Sequence, residues 1–110
     1  MKVIILPEVI DYFFELADIL YDKGYFGFEE SAIKYVRELY EDIKDNLPIK
    51  AKKQASKHFT DQYGKNLYYA TFTKNRRTQW YAFFRMYEID GEIYYQVRHI
   101  ENNHTAAHYF

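Results

Sequence analysis

The sequence contains no cysteine, so it can form neither a disulfide framework nor a thiolate metal site. Glycine and proline are scarce, at 4 and 2 residues, and no Gly-rich phosphate loop, G-x-S-x-G elbow or acidic metal cluster occurs. No apolar run approaches the length of a membrane span. The opening Met1-Lys2-Val3-Ile4-Ile5-Leu6 is too short for the apolar core of a signal peptide and is ended by Pro7-Glu8, so a cytoplasmic protein with no membrane partner is expected. Neither sign of charge dominates: 15 Lys and Arg stand against 16 Asp and Glu, and any attraction to nucleic acid must come from a local patch.

What is abundant is aromatic surface. Aromatics make up 21% of the 110 residues, with 13 Tyr and 9 Phe, which excludes disorder and supplies one core. Because tyrosine leads, much of that surface carries a hydroxyl that needs water, a partner or a ligand.

Residues 2–6 read as a short buried strand. Pro7 and Glu8 suit a helix start, and from Val9 to Asp22 the residues Ile10, Phe13, Phe14, Ala17, Leu20 and Tyr21 recur at helical spacing. A second helix is expected from Glu29 to Asn46, with Ile33, Val36, Tyr40, Ile43 and Leu47 as its stripe and Pro48 as its stop. Residues 49–66 are basic, and Ala51, Ala55 and Phe59 suggest a short third helix with Phe59 inward. Residues 67–73, 78–89 and 92–101 read as strands, the last two joined by a two-residue Asp90-Gly91 turn. The expected fold is one α+β domain over residues 1–110, with an N-terminal strand and helical hairpin packed on one face of a C-terminal antiparallel sheet.

The Asp90-Gly91 turn predicts a register in which Ile89 faces Glu92, Tyr87 faces Tyr94, Arg85 faces Gln96, Phe83 faces Arg98 and Tyr81 faces Ile100. These ten residues then share an open face. The more apolar face, with Trp80, Ala82, Phe84, Met86, Ile93, Tyr95, Val97 and His99, belongs under the helices. Arginines among aromatics suit RNA, since guanidinium pairs with phosphate and rings stack on bases. Candidate RNA contacts are Lys52, Lys53, Lys57, Arg76, Arg77, Tyr81, Tyr94 and Gln96. The plainer alternative is that Arg85 and Arg98 cover aromatic surface with their stems and pair with nearby acids.

Residues 98–110 form the densest polar cluster. Transphosphorylation of RNA needs a base for the 2′-hydroxyl, an acid for the leaving 5′-oxygen and cations for the phosphate. His104, His108, Tyr109, Arg85 and Arg98 are the candidate catalytic set, and a purely structural tail is the competing reading. On a continuous helix His104 and His108 would share a face, but nothing at zinc spacing supplies a third ligand, so no metal or cofactor is expected.

The order strand, helical hairpin, basic connector, three-strand sheet and polar tail resembles the RelE/ParE superfamily of type II toxins across nearly the whole chain. Lys57-His58-Phe59 with Leu67-Tyr68-Tyr69-Ala70-Thr71, the strand Gln79-Trp80-Tyr81-Ala82-Phe83-Phe84, the Ile89-Asp90-Gly91 hairpin and the histidine-rich tail carry the resemblance. The chain departs from it in having Tyr69-Ala70-Thr71 where the family often has Glu-Leu-Arg, and Tyr81 where it often has an arginine. The resemblance implies the toxin of a toxin–antitoxin pair: an mRNA endoribonuclease acting on the ribosome, with a cognate antitoxin as partner. Its alternative is a non-enzymatic member, either a ParE-like toxin directed at gyrase or an inactive protein-binding domain.

Overall fold

The computed structural model describes all residues from Met1 to Phe110. Its two amphipathic segments are helices α1 (Pro7–Asp22) and α2 (Glu29–Asn46), started by Pro7 and by the acidic first turn of Glu29 and Glu30. A single 3-10 turn, Leu47–Ile49, carries Pro48 and ends the hairpin. The buried positions are Val9, Phe13, Leu16 and Ala17 on α1 and Ala32, Val36, Leu39 and Ile43 on α2. Those arcs are rotated from the predicted stripes. Phe14 is 76% exposed and Ile33 40% exposed, and with Ile10, Ala17, Val36 and Tyr40 they line an outer groove of about 590 Å³ between the helices.

The sheet is mixed and five-stranded, in the order β1-β5-β4-β3-β2, rather than purely antiparallel. Strands β2 (Lys53–Gln54), β3 (Tyr68–Thr73), β4 (Gln79–Ile89) and β5 (Glu92–Asn102) pair antiparallel, while β1 (Lys2–Ile5) lies parallel to β5 as an edge. As an edge, β1 is only half-buried: Val3 and Ile5 enter the core while Lys2 and Ile4 face outward, which corrects the buried strand expected there. The Asp90-Gly91 turn takes positive φ at both residues, 52° and 80°, the conformation that joins twisted strands with two residues. From it the register runs as predicted through Ile89–Glu92, Tyr87–Tyr94 and Arg85–Gln96.

Beyond that point the predicted register fails. Phe84 pairs with Val97 but Phe83 pairs with His99, so Arg98 is the extra residue of a β-bulge and Tyr81 faces Glu101. One inserted residue reverses the alternation beyond it. Ile100, expected on the open face, is buried in the main core beside Trp80, Ala82 and Phe84, and His99, expected under the helices, stands on the opposite face.

That opposite face is not fully open either. Helix α3 (Lys57–Tyr63) crosses it, and Phe59, Leu67, Phe83 and Ala106 form a second small core, with Phe83 0% exposed. Phe59 stacks on Phe83 at 4.3 Å, so the inward placement of Phe59 on a third helix agrees with its sequence pattern. The chain ends in α4 (Asn103–Ala106) and a 3-10 turn (Ala107–Tyr109), which fold back so that Phe110 packs on Tyr69, Tyr81 and Phe83. On the other side Met86, expected under the helices, is 37% exposed although its cross-strand partner Tyr95 is buried. No helix is long and apolar enough to cross a membrane.

Candidate functional site

Arg85 and Arg98 project from neighbouring strands on the α3 side of the sheet and meet at the C-terminal end of that helix. A Cβ built on Gly64, the residue that ends α3, would lie 2.7 Å from Nη1 of Arg98 and 3.9 Å from Nη1 of Arg85. Gly64 has φ of 111°, so two independent constraints favour glycine there. Arg98 donates from Nε to Gln96 Oε1 at 2.8 Å, from Nη1 to the Tyr63 carbonyl at 2.9 Å and from Nη2 to the Tyr87 hydroxyl at 2.6 Å. Those three bonds leave two of a guanidinium's five N–H donors unused. Arg85 lies over the Tyr87 ring, 5.2 Å from its centroid, and its Nε is buried with no acceptor. Neither arginine is in ion-pair contact with a carboxylate: the acids that pair do so with Met1, Lys34, Lys57, Lys74 and His99. The expectation that nearby acids would neutralise them is therefore not met.

Around this pair the predicted residues divide. Gln96 belongs to it through Arg98, and Tyr94 pairs across from Tyr87, with Lys2 over its ring at 5.9 Å. Tyr81 shares the face but lies four residues along β4 from Arg85, about 13 Å away, with Phe110 against its ring. Lys52 sits over the Tyr95 ring on the helix-covered side, and Lys53 is on edge strand β2. Lys57 pairs with Asp61 at 2.7 Å. Arg76 and Arg77 occupy the β3–β4 turn, where the Arg77 carbonyl accepts from Asn103.

The tail disperses its candidates. His104 lines a separate cleft of about 630 Å³ with Tyr25, Lys74 and Trp80. His108 is exposed, and no hydrogen bond or ring contact joins either tail histidine to an arginine. The α-helix that would align them ends at Ala106, and no group of three or more His, Asp or Glu gathers to hold a metal ion. Tyr109 stacks on His58 with centroids 3.7 Å apart, and its carbonyl accepts from Ser56, which ties the tail to the start of α3.

Sequence reading missed His99. Its Nε2 lies 2.7 Å from Glu101 Oε1, and its ring stacks on Tyr63 with centroids 4.2 Å apart. Because β1 ends at Ile5, paired with Val97, β5 from Arg98 onward has no strand along that edge. The gap is a cleft of about 290 Å³ lined by Glu8, Tyr12, Tyr63, Arg98, His99 and Glu101 among others. Burial and the Glu101 carboxylate raise the Tyr63 phenol above its ordinary range; burial, then Glu101 and Glu15, do the same for Tyr12. The only sequence signal was the His99-x-Glu101 spacing, which puts two side chains on one strand face at hydrogen-bond reach.

Compared with protein-family models, with curated proteins and with solved structures, the chain finds no match.

Proposed function

We propose that the α3-side face of the sheet binds the phosphodiester backbone of RNA and supports its cleavage. On that reading the protein is a metal-independent endoribonuclease, the toxin of a bacterial toxin–antitoxin pair acting on mRNA at the ribosome. The observation that carries the proposal is the pair Arg85 and Arg98. Both are half-buried, free of any carboxylate, held beside a glycine that leaves room for them, and between them retain a buried unpaired Nε and unused guanidinium N–H groups. A positively charged, preorganised pair of this kind suits the charge that develops on a pentacovalent phosphate. The resemblance to the RelE/ParE superfamily supplies the substrate class. Proton transfer calls for a histidine, and of the chain's four, His58, His99, His104 and His108, it is His99 that shares a cleft with Arg98. The test is cleavage of mRNA by the purified protein in chelator, leaving 2′,3′-cyclic phosphate ends, with growth arrest on induction. Arg98→Ala should lower the cleavage rate by about 10²–10³-fold, the scale seen for loss of one charge-stabilising donor.

A second reading has its own observation. The outer groove between α1 and α2, with Phe14 and Ile33 exposed, is an apolar surface of the kind that takes a protein partner. It favours a non-enzymatic, ParE-like or inactive binding domain. Induction that damages DNA while leaving mRNA intact would support the gyrase-directed form, and unaffected growth the inactive one.

A further inference from the structure

We propose that His99, oriented by Glu101, is the proton-transferring residue of the arginine site, an inference that rests on the ribonucleolytic reading above. A general base needs three things: a nitrogen free to accept, a partner that holds the ring, and a cation near enough to grip the substrate. His99 has each. Glu101 engages Nε2 at 2.7 Å, and Nδ1 makes no hydrogen bond. Tyr63 fixes the plane of the ring by stacking on it, and the carbonyl of the same tyrosine accepts from Arg98. Tyr63 therefore ties the imidazole and the guanidinium together. The bulge places these consecutive residues on one side of the strand, and both line the cleft at the unpaired edge of β5. Bulges commonly re-aim side chains in this way next to active sites.

The tail histidines have no such arrangement. His104 faces the Trp80 cleft, and His108 has neither an orienting partner nor a neighbouring cation in contact.

In the proposed step Nδ1 of His99 accepts the 2′-hydroxyl proton as O2′ bonds to phosphorus. The P–O5′ bond breaks, the 5′-oxygen takes a proton from water, and the imidazolium returns its proton to solvent. Products are a 2′,3′-cyclic phosphate and a 5′-hydroxyl, with no net change of charge. Glu101 acts as a positioning residue that stabilises the imidazolium formed on the way. The groups facing His99 are Glu8 and Tyr12 from α1, Tyr63 from α3, and Arg98 and Glu101 from β5. Burial, reinforced by Glu101, raises the phenol pKa values of Tyr12 and Tyr63.

The test is single-turnover cleavage of a short labelled RNA, with affinity measured separately on a 2′-deoxy analogue that cannot be cut. His99→Asn should cut about 10²–10⁴-fold more slowly with affinity unchanged, the usual weight of a general base. His99→Ala should recover rate when free imidazole is added, which a merely structural histidine would not allow. Glu101→Gln should slow single-turnover cleavage while leaving affinity for the 2′-deoxy analogue unchanged, since the ring loses the carboxylate that holds it at 2.7 Å. Should His99→Asn fail to fold, Glu101→Gln decides: a wild-type cleavage rate in that variant overturns the assignment. Wild-type rates in both His99 variants would overturn the inference while leaving the arginine site standing. A wild-type protein that binds the analogue but cuts no RNA would remove the nuclease reading and this inference together.

Discussion

Gly64 lies against Arg98 so closely that a single methyl group would displace the guanidinium, with 2.7 Å between the position of a Cβ and Nη1. The site is therefore sensitive to a residue that carries no functional group. Gly64→Ala should cost about 1–3 kcal/mol for a side chain at a φ of 111°. It should also weaken RNA binding by breaking the Arg98–Tyr63 bond. Denaturant unfolding and a binding isotherm measure the two effects separately, and unchanged affinity would show that Arg98 does not grip the backbone.

Arg85 should behave in the opposite way. Its Nε is buried without an acceptor, so Arg85→Ala removes an unsatisfied polar group and should change stability by less than about 1 kcal/mol. If the residue contacts phosphate, the slope of log affinity against log salt should fall by about one contact. An unaltered slope would take Arg85 out of the interface.

Trp80 and Tyr35 join the sheet to α2 through a hydrogen bond of 2.9 Å from the indole Nε1 to the phenol oxygen. Trp80 is among the largest fully buried side chains, and Trp80→Ala should cost about 3–5 kcal/mol through the cavity it leaves. Tyr35→Phe removes only the acceptor and should cost about 1–3 kcal/mol. Thermal or urea unfolding gives both values. A phenylalanine variant as stable as wild type would mean that water replaces the lost partner.

Phe83 carries the second core. Phe83→Ala should cost about 3–5 kcal/mol and free α3 and the C-terminal turn, because Phe59, His99 and Phe110 all pack on its ring. Hydrogen exchange should rise first in residues 57–63 and 103–110, ahead of α1 and α2. Uniform loss of protection would mean that the two cores unfold as one.

Tyr12, Tyr35, Tyr63 and Tyr81 all have phenol pKa values raised, chiefly by burial. In the unfolded chain these phenols ionise near their ordinary value of about 10. The folded state thus holds more protons above that point, so their contribution is intact below about pH 10 and is lost as pH climbs through the raised values. Stability should fall steeply on the alkaline side, and absorbance should resolve a late-titrating group of tyrosines that merges with the rest on unfolding.

Local patterns in the chain determined most of the elements: Pro7 and Pro48 bound the helical hairpin, Asp90-Gly91 sets the β4–β5 turn, and Phe59 marks the inward side of α3. Each is a short-range signal, carried by backbone preference or by the period of apolar residues. Tertiary structure decided the site. Nothing near Arg98 in the sequence announces a bulge, because an extra residue is tolerated only where the partner strand and the packing of Ile100 into the core reward it. That one residue exchanges the faces of His99 and Ile100. Whether β5 has an open edge depended on where β1 stops, and whether Phe83 is exposed depended on α3 crossing the sheet. Both are contacts between segments far apart in the chain, which period and propensity do not encode.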